Sequence, residues 1–308
     1  MKQQPVVSVI MPFYNTKPAF MDEAIGSVLA QQYPYWELLL IDDGSTQESS
    51  SQTARQYAVA HPDRIHYLEH PNHANKGPGA SRQLAIQQAR GELLAFLDAD
   101  DLWLPHKLAE QVALLAAHPQ VGAMYGNTLY WFKWVGDTPG NPSDFMPNLG
   151  LADGAVIIPP HLLRQFVQGG AAIPCTCSLI VQREVVIKSG GFEVDYRGFY
   201  DDQMFYAKIF LQTAVLVKHD CWDYYRQHPD SGTHIPAAPH ETMKLHLNYL
   251  MWLANYLTQQ QITDEQLWHA LQQQIWLYHQ PTWLPWPHYS HTLMRRLKKR
   301  LLQMWPTW

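Results

Sequence analysis

An apolar run that ends in three carboxylates constrains the fold more than any other feature of this chain. Residues 92–101 read ELLAFLDADD, so the apolar side chains are followed at once by Asp98, Asp100 and Asp101. An uninterrupted apolar run of this length is typical of a central strand in a parallel sheet that is covered on both faces. Ligand sites in open α/β sheets lie beyond the carboxyl ends of such strands. The sequence therefore predicts an α/β fold with a polar site after this strand.

The spacing of the carboxylates suggests a cation. Asp98 and Asp100 alternate with Ala99, so in an extended chain both carboxylates leave the same face. Mg²⁺ and Mn²⁺ prefer oxygen ligands, commonly one or two carboxylates together with substrate phosphates. The alternative is a strand-to-helix turn in which Asp101 caps the next helix, and the short motif by itself leaves both interpretations open.

Strands and helices alternate through the first 125 residues. This order predicts a doubly wound, Rossmann-like and mostly parallel sheet flanked by helices. The predicted strands before residue 92 are Val6–Phe13, Glu37–Ile41 and Arg64–Leu68, and the predicted helices begin at Pro18 or cover Arg55–Ala60, Ala80–Ala89 and Pro105–Ala117.

The second half of the chain is less regular. A long excursion is expected over Trp134–Gly154, where Pro, Gly and Asn are frequent. Regular structure should resume with strands at Cys177–Val181 and Ala214–Lys218 and with helices at Arg183–Ser189 and Asp202–Leu211. We expect one main domain over residues 1–235 and a helical C-terminal extension over residues 236–308.

Composition excludes several classes of protein. A formal net charge of -5 and a pI near 6.3 argue against nucleic acid as the main partner. The three cysteines do not form a disulfide framework, and Cys175 and Cys177 lack the second ligand pair of a zinc site, so both are interpreted as buried strand residues. The N-terminus has no signal-peptide pattern, and the sequence lacks the ~18–20 consecutive apolar residues of a membrane span. A cytoplasmic location is expected.

Further acidic residues follow the second predicted strand. Asp42 and Asp43 end that strand, and Arg82 lies one turn into the helix after the Gly77–Gly79 turn. Carboxylates with a nearby arginine and a helix N-terminus suit a nucleotide diphosphate chelated to a metal. The chain has neither a G-x-G-x-x-G dinucleotide motif nor a G-x-x-x-x-G-K-[ST] phosphate loop, which argues against those two classes.

Five segments together resemble the inverting glycosyltransferases of family 2. Each is a weak signal alone, but they occur in the family's order and spacing across roughly residues 5 to 230. They are VSVIMPFYN at Val7–Asn15, LLIDDGST at Leu39–Thr46, GPGASR at Gly77–Arg82, the run Gly91–Asp101, and Gly190-Gly191-Phe192 followed by Asp201-Asp202.

The resemblance implies a GT-A fold and a nucleotide-sugar donor. Asp43 would accept a hydrogen bond from the base, most often the N3–H of uracil, and Pro12 would line the base pocket through its backbone. Asp98 would hold the ribose and Asp100 the divalent metal, Mn²⁺ or Mg²⁺. Arg82 would lie near the nucleotide, although its side chain could equally pin the Asp98 loop.

The resemblance also implies roles on the acceptor side. The family's usual pair there is Glu-Asp with the second residue as general base, so Asp202 is the expected base and Asp201 the reserve; the alternative is an acidic N-terminus on the following helix. Arg226 would neutralise phosphate charge, and His228 would complete the metal shell or contact the diphosphate, unless both lie in an ordinary surface loop.

The function that the resemblance implies is transfer of one sugar from a nucleotide diphosphate donor, expected to be UDP-linked, to a hydroxyl of a cell-surface glycan or lipid-linked oligosaccharide. One alternative is a non-catalytic module of the same fold that binds sugar nucleotides or glycans. Another is a nucleotidyltransferase, which would need a Gly-rich basic loop where this chain has Pro12-Phe13-Tyr14-Asn15.

The last 21 residues raise a separate question. Residues 288–308 place five cations between Arg295 and Arg300 among Leu, Met and Trp side chains. This composition suits a helix lying on the anionic inner face of a membrane. Packing on the main domain, or on a second subunit of an oligomer, is the alternative.

Overall fold

The computed structural model describes residues 4–136, 142–196, 199–229, 231 and 239–278. Its strands are β1 Val7–Phe13, β2 Trp36–Asp42, β3 Ile65–Glu69, β4 Leu93–Phe96, β5 Leu102–Trp103, β6 Val121–Trp131, β7 Ala155–Ile157, β8 Ile180–Gln182 and β9 Ala214–Arg226. Its helices are α1 Pro18–Leu29, α2 Glu48–Ala60, α3 Pro78–Gln88, α4 Lys107–Ala117, α5 His161–Gln168, α6 Arg183–Ser189, α7 Asp201–Phe210, α8 Pro239–Gln259 and α9 Glu265–Tyr278.

The described strands form one mixed sheet in the order β3-β2-β1-β4-β8-β6-β9-β5, with β7 paired to β9. The first four are parallel to one another. Beyond them β8 is antiparallel to both β4 and β6, whereas β6 and β9 run parallel. The predicted α/β class is confirmed, and the parallel half is the part that the alternating sequence pattern described.

The central strands are buried on both faces. Every residue of β1, β2 and β4 is buried, as the continuous apolar runs require. Side chains alternate between two clusters: Val9 and Met11 pack with α1 and α4 on one face, and Ile10 packs with α3, α6 and α7 on the other. Because both faces are covered, a ligand can approach these strands only at their ends.

The C-terminal helices pack on the main body of the protein. Buried residues of α8 and α9 form a third apolar cluster with Leu163 of α5 and Met204 of α7. The expected helical character is confirmed to Tyr278. The segment 279–308, and with it the proposed membrane helix, lies outside the described residues, and the domain division at residue 235 stays a prediction. In the described part of the chain no helix combines the length and apolar character needed to span a bilayer.

Several predicted boundaries were wrong. Cys175 and Cys177 are not strand residues, because a 3₁₀ turn at Thr176–Ser178 precedes β8. The helix expected from Pro105 begins at Lys107, after the short strand β5. Strand β9 continues eight residues beyond Lys218, since its later residues pair with β6, and such pairing has no local sequence pattern.

Candidate functional site

Asp43 joins the two loops that follow β2 and β3. Its Oδ1 accepts hydrogen bonds from the backbone N–H groups of Lys76 (2.7 Å) and Gly77 (3.0 Å) and from the Ser81 hydroxyl (3.0 Å). The Gly77 N–H also lies 2.9 Å from Oδ2. Gly44 permits this close approach, because a Cβ there would lie 2.6 Å from the backbone nitrogen of Asn75. Asp43 therefore fixes the turn that opens α3, and one side of Oδ2 is left for a further donor.

Pro12 and Asp42 lie at the same end of the sheet. Pro12 pairs with Ile41 of β2. On the other side of β1, the pairing with β4 ends earlier, at Ile10. The N–H that proline lacks is therefore not needed for a described hydrogen bond between these strands. Asp42 is buried and accepts hydrogen bonds from the Ser45 N–H and from the hydroxyls of Ser51 and Tyr67. These contacts give Asp42 a structural role.

Arg82 connects two groups of carboxylates. Its Nη2 donates to Asp98 Oδ1 at 2.6 Å, and its Nη1 lies 3.5 Å from Asp201 Oδ2. The guanidinium is buried and lies over the Phe192 ring, 5.6 Å from the ring centroid. The adjacent Asp98 and Asp201 carboxylates raise the pKa of Arg82 although burial alone would lower it. The first residue of α7 and the turn after β4 are therefore held to one cation.

Asp101 organises the turn after β4 from inside the protein. It is 1% exposed and accepts hydrogen bonds from the Arg226 backbone N–H (2.9 Å) and the Cys177 thiol (3.0 Å). Burial, with added repulsion from Asp100 and Asp98, raises the pKa of Asp101 well above its usual value. The alternative in which Asp101 caps α4 is wrong, because that helix begins six residues later.

Asp100 is paired with His228. Its Oδ2 lies 2.9 Å from His228 Nε2, and its side chain is 27% exposed. Rings of Phe20 and Trp134 pack beside the imidazole, with centroids 5.2 and 6.5 Å away. The Nδ1 atom of His228 is buried and has no hydrogen-bond partner among the described residues. The structure thus brings together the two residues that the sequence singled out for the metal, and their role as ligands stays a prediction.

Arg226 holds the β9 end against the Asp100 turn. Its Nε donates to the Asp100 backbone carbonyl at 2.8 Å, and its Nη2 pairs with Glu23. The guanidinium lies among the rings of Phe20, Trp131 and Trp134, with centroids 4.4 to 5.1 Å away, and Arg226 is 2% exposed. Its described contacts are thus within the protein. They support a role in positioning His228 more directly than a phosphate contact.

Two sets of residues near this turn could be considered for a metal. Single ligand atoms of Asp98, Asp101 and Cys177 all lie within 4.8 Å of one another. Burial and the surrounding carboxylates raise the pKa of the Cys177 thiol well above its usual value, so the protonated thiol is a poor ligand. Asp100 and His228 offer a partly exposed oxygen and an imidazole nitrogen, which suit Mn²⁺ and, through the oxygen, Mg²⁺. The second pair fits a divalent metal better.

The Asp201-Asp202 pair opens α7, as the sequence predicted for Asp202. The side chain of Asp201 is 16% exposed, and burial raises its pKa. Burial, followed by repulsion from Asp201, raises the pKa of Asp202 to about 7. Its Oδ1 accepts a hydrogen bond from the N–H of Gln203 at 2.7 Å. A carboxyl group with a pKa near 7 can take up a proton at neutral pH, which general base catalysis requires.

Comparison with known proteins identifies the family of this chain. The model of "Glycosyl transferase family 2" matches residues 8–189. An uncharacterised glycosyltransferase of Nostoc sp. is 32% identical over 235 residues, which is 75% of this chain and 67% of the relative. The chain belongs to glycosyltransferase family 2.

Other relatives of this family 2 glycosyltransferase match over shorter stretches. The Escherichia coli protein WfgD, named as a UDP-Glc:alpha-D-GlcNAc-diphosphoundecaprenol beta-1,3-glucosyltransferase, is 38% identical over 122 residues, which is 40% of this chain and 45% of WfgD. The matched stretch spans less than half the length of WfgD and of several other curated relatives. Similarity over such a stretch therefore does not show that this protein has the activity of the whole relative.

Two solved structures share the fold. Staphylococcus aureus TarS, crystallised with UDP-GlcNAc, is 18% identical with a TM-score of 0.64, over 89% of this chain and 72% of TarS. The Pyrobaculum calidifontis mannosyltransferase PcManGT, in complex with GDP-Man and Mn²⁺, is 21% identical with a TM-score of 0.56, over 90% of this chain and 70% of its own. The family 2 glycosyltransferase thus has the GT-A fold that the motifs implied.

Some residues of the site had no usable sequence signal. The sequence pattern indicates only a buried strand residue at Cys177, whereas in the structure its thiol contacts Asp101. Glu23, 203 positions from Arg226, carries no motif at all. Ser81 and His70 form a buried contact of 2.9 Å beside Asp43. Ser81 lies within the GPGASR motif, which was the available signal for it.

Proposed function

We propose that this family 2 glycosyltransferase moves one sugar, with inversion, from a nucleotide diphosphate sugar to a hydroxyl group of an acceptor. The observation that carries the proposal is the double contact of Arg82. This cation touches Asp98 on the turn after β4 and Asp201 at the start of α7. A nucleotide held by the turn and an acceptor facing α7 would meet beside it.

The proposed donor is UDP-linked. In support, TarS has been crystallised with UDP-GlcNAc, and the printed name of WfgD gives UDP-Glc as its donor. The mannosyltransferase PcManGT was crystallised with GDP-Man, so a guanine nucleotide is the alternative. Asp43 is proposed to accept a hydrogen bond from the base through the free side of Oδ2, and Pro12 to line the base pocket through its backbone. Asp98 is proposed to bind the ribose.

Asp100 and His228 are proposed to hold the divalent metal, Mn²⁺ or Mg²⁺. When bound, such an ion neutralises charge on the two donor phosphates as the nucleoside diphosphate leaves. The protein contributes the orientation of both side chains, because Arg226 ties the Asp100 carbonyl to the end of β9 two residues before His228. Arg226 is therefore proposed to act by positioning, and any direct contact with phosphate would require it to leave its aromatic surroundings.

Asp202 is proposed as the general base. Inverting transfer is an in-line displacement in which the acceptor oxygen attacks the anomeric carbon as the bond to phosphate breaks. The hydroxyl proton moves to the Asp202 carboxylate during this attack. Asp201 is proposed to stay ionised beside Arg82, where its charge raises the proton affinity of Asp202.

The proposed acceptor is a cell-surface glycan or a lipid-linked oligosaccharide at the inner membrane face. The name of WfgD describes a diphosphoundecaprenol-linked acceptor, which supports this class for the present protein. Peripheral attachment through residues 288–308 is a proposal from sequence alone, as are a cytoplasmic location and any oligomeric state.

A panel of donors tests the proposed function. UDP-Glc, UDP-GlcNAc and GDP-Man would each be mixed with the protein and Mn²⁺, and both thermal stabilisation and slow donor hydrolysis would be measured. A bound donor at about 100 times its Kd should stabilise the protein by about 2.7 kcal/mol. Asp202→Asn should keep the stabilisation and lose turnover, whereas the surface variant Asp153→Asn should keep both.

The outcomes separate the candidate functions. Stabilisation without turnover in the unmodified protein, for every donor and acceptor preparation, would support the non-catalytic binding module instead. The absence of stabilisation by any nucleotide sugar would contradict the proposal altogether.

A further inference from the structure

A strained tyrosine precedes the two carboxylates at the start of α7. Tyr200 has φ 91° and ψ 6°, in the left-handed region that side chains other than glycine rarely adopt. Its carbonyl accepts the backbone N–H of Met204 at 2.9 Å, so Tyr200 makes a hydrogen bond of the first helical turn. Strained residues persist only where surrounding contacts hold them, and they are frequent at active sites.

The contacts that hold Tyr200 come from the C-terminal helices. Its ring stacks on His246 (5.3 Å between centroids, 19° between planes) and on Tyr249 (5.3 Å, 11°), both on α8. The His246 Nδ1 atom is hydrogen-bonded to the hydroxyl of Tyr278 on α9. Tyr249 is 4% exposed and belongs to the apolar cluster that joins α8 to α7. Two helices therefore support the conformation of one loop residue.

The direction of α7 at its first turn depends on this residue. Asp201 and Asp202 are the first two helical residues, so the backbone angles of Tyr200 set where both carboxylates project. Asp201 also lies 3.5 Å from Arg82, which gives the same turn a second restraint. The Tyr200 stack is the corresponding restraint on the side of the C-terminal helices.

We propose that Tyr200 is a positioning residue for Asp202, and that α8 acts on catalysis by holding the Tyr200 ring through His246 and Tyr249. This inference rests on the proposed function, in which Asp202 is the general base. It assigns α8 and α9 to the catalytic unit, whereas the sequence suggested an extension with a separate task. The expected effect is on turnover, because a displacement of about 1 Å in a reacting group can cost about 10²-fold in rate.

Three substitutions distinguish the effect of the Tyr200 ring stack from the effect of its backbone conformation. Tyr200→Phe keeps the stack and the shape, so transfer should stay within about twofold of the unmodified protein. Tyr200→Gly adopts a positive φ without strain but removes the stack, and it should lower kcat by about tenfold or more. His246→Ala leaves the Tyr200 side chain unchanged while removing one of the two rings that stack on it, and it should also lower kcat.

Tyr256 supplies a matched control on the same helix. It stacks on Trp252 at 5.2 Å, and Trp252 in turn lies 6.4 Å from Tyr249, so Tyr256 is two rings away from the residue that contacts Tyr200. Tyr256→Ala therefore removes an aromatic stack of α8 without touching Tyr200, and kcat should not change. Folding of each variant is checked by circular dichroism and thermal unfolding.

The measurements are kcat, the KM for the donor and the KM for the acceptor, with the donor found active in the panel above. The proposal requires a fall in kcat with a donor KM changed by less than about twofold, because the nucleotide contacts lie elsewhere. Unchanged kcat in Tyr200→Gly, or an equal loss in Tyr256→Ala, would overturn it. A loss in Tyr200→Phe would also overturn it, since the ring stack would then not be the cause. If Tyr200→Gly does not fold, His246→Ala decides the question.

Failure of this proposal differs from failure of the proposed function. Asp202→Asn assayed in parallel should be nearly inactive. If Asp202→Asn is inactive and Tyr200→Gly is fully active, only the positioning role is rejected. If Asp202→Asn retains transfer, the assignment of the general base is rejected instead, and the positioning role falls with it.

Discussion

The pH dependence of transfer provides the sharpest test of Asp202. Its pKa of about 7 means that only about one tenth of the carboxyl groups are ionised at pH 6, and about nine tenths at pH 8. A general base must be ionised to accept a proton, so kcat should rise about tenfold between pH 5 and 6 and level off above pH 8. Asp202→Asn should lower kcat by about 10² to 10⁴-fold and remove this rise.

Replacing the neighbour Asp201 should shift the pH dependence of kcat in a direction that can be checked. Its negative charge is the second-largest cause of the raised pKa of Asp202, after burial. Asp201→Asn should therefore move the rise of kcat to lower pH, while the plateau stays within about tenfold. The other charged groups that act on Asp202 are Arg82, which lowers its pKa, and Asp98, which raises it.

Several tyrosines also lie within electrostatic reach of Asp202 and would respond to its charge. The pKa values of all five are raised, so they stay protonated through the range of the assay; they are Tyr130, Tyr196, Tyr200, Tyr206 and Tyr249. The assay is steady-state transfer from pH 5 to 9 at saturating donor and metal, with protein integrity checked at each pH. A rise that moves to higher pH in Asp201→Asn, or that survives in Asp202→Asn, would refute the reasoning.

Four further predictions concern metal binding, stability and membranes. Asp100→Asn should weaken metal-dependent donor binding and nearly abolish transfer, and full activity in excess EDTA would contradict the metal role. Because burial raises the pKa of Asp202, the free-energy cost of ionising it in the folded protein grows from about pH 4 to about pH 7 and stays in full at higher pH. Denaturant titration should therefore show Asp202→Asn more stable than the unmodified protein at pH 8 but not at pH 4. Lys107→Met should lower the free energy of unfolding by about 3–5 kcal/mol, because it removes the cation 3.2 Å from the fully buried carboxylate of Asp223. The double variant Lys107→Met, Asp223→Leu should recover much of this lost stability, because it leaves no unpaired buried charge. Deleting residues 288–308 should release the protein from anionic liposomes at low salt without changing nucleotide binding, and unfolding of the truncated protein would assign the segment to the core instead.

The sequence alone determined the parts of the protein that depend on neighbours along the chain. Continuous apolar runs predicted the central strands, because a strand buried on both faces has no polar alternation. The positions of Asp43, Asp98 and Asp100 followed from the same runs, since each residue comes just after a strand. Similarity to the family then added an expected chemistry to these positions, and the matching family model confirms the family itself.

Only the tertiary structure decided which distant residues share one environment. Asp101 meets Cys177 and Arg226, which are 76 and 125 positions away, and Asp100 meets His228, 128 positions away. Such contacts depend on the packing of the end of β9, and of the 3₁₀ turn before β8, against the turn after β4. No local periodicity in the sequence predicts them. The stack of Tyr200 on His246 is the same kind of contact, made between the residue before α7 and helix α8, which the sequence predicts to lie in different units. Local propensity can place a carboxylate at the end of a strand, but its partners and its pKa depend on the packing of segments far apart in the chain.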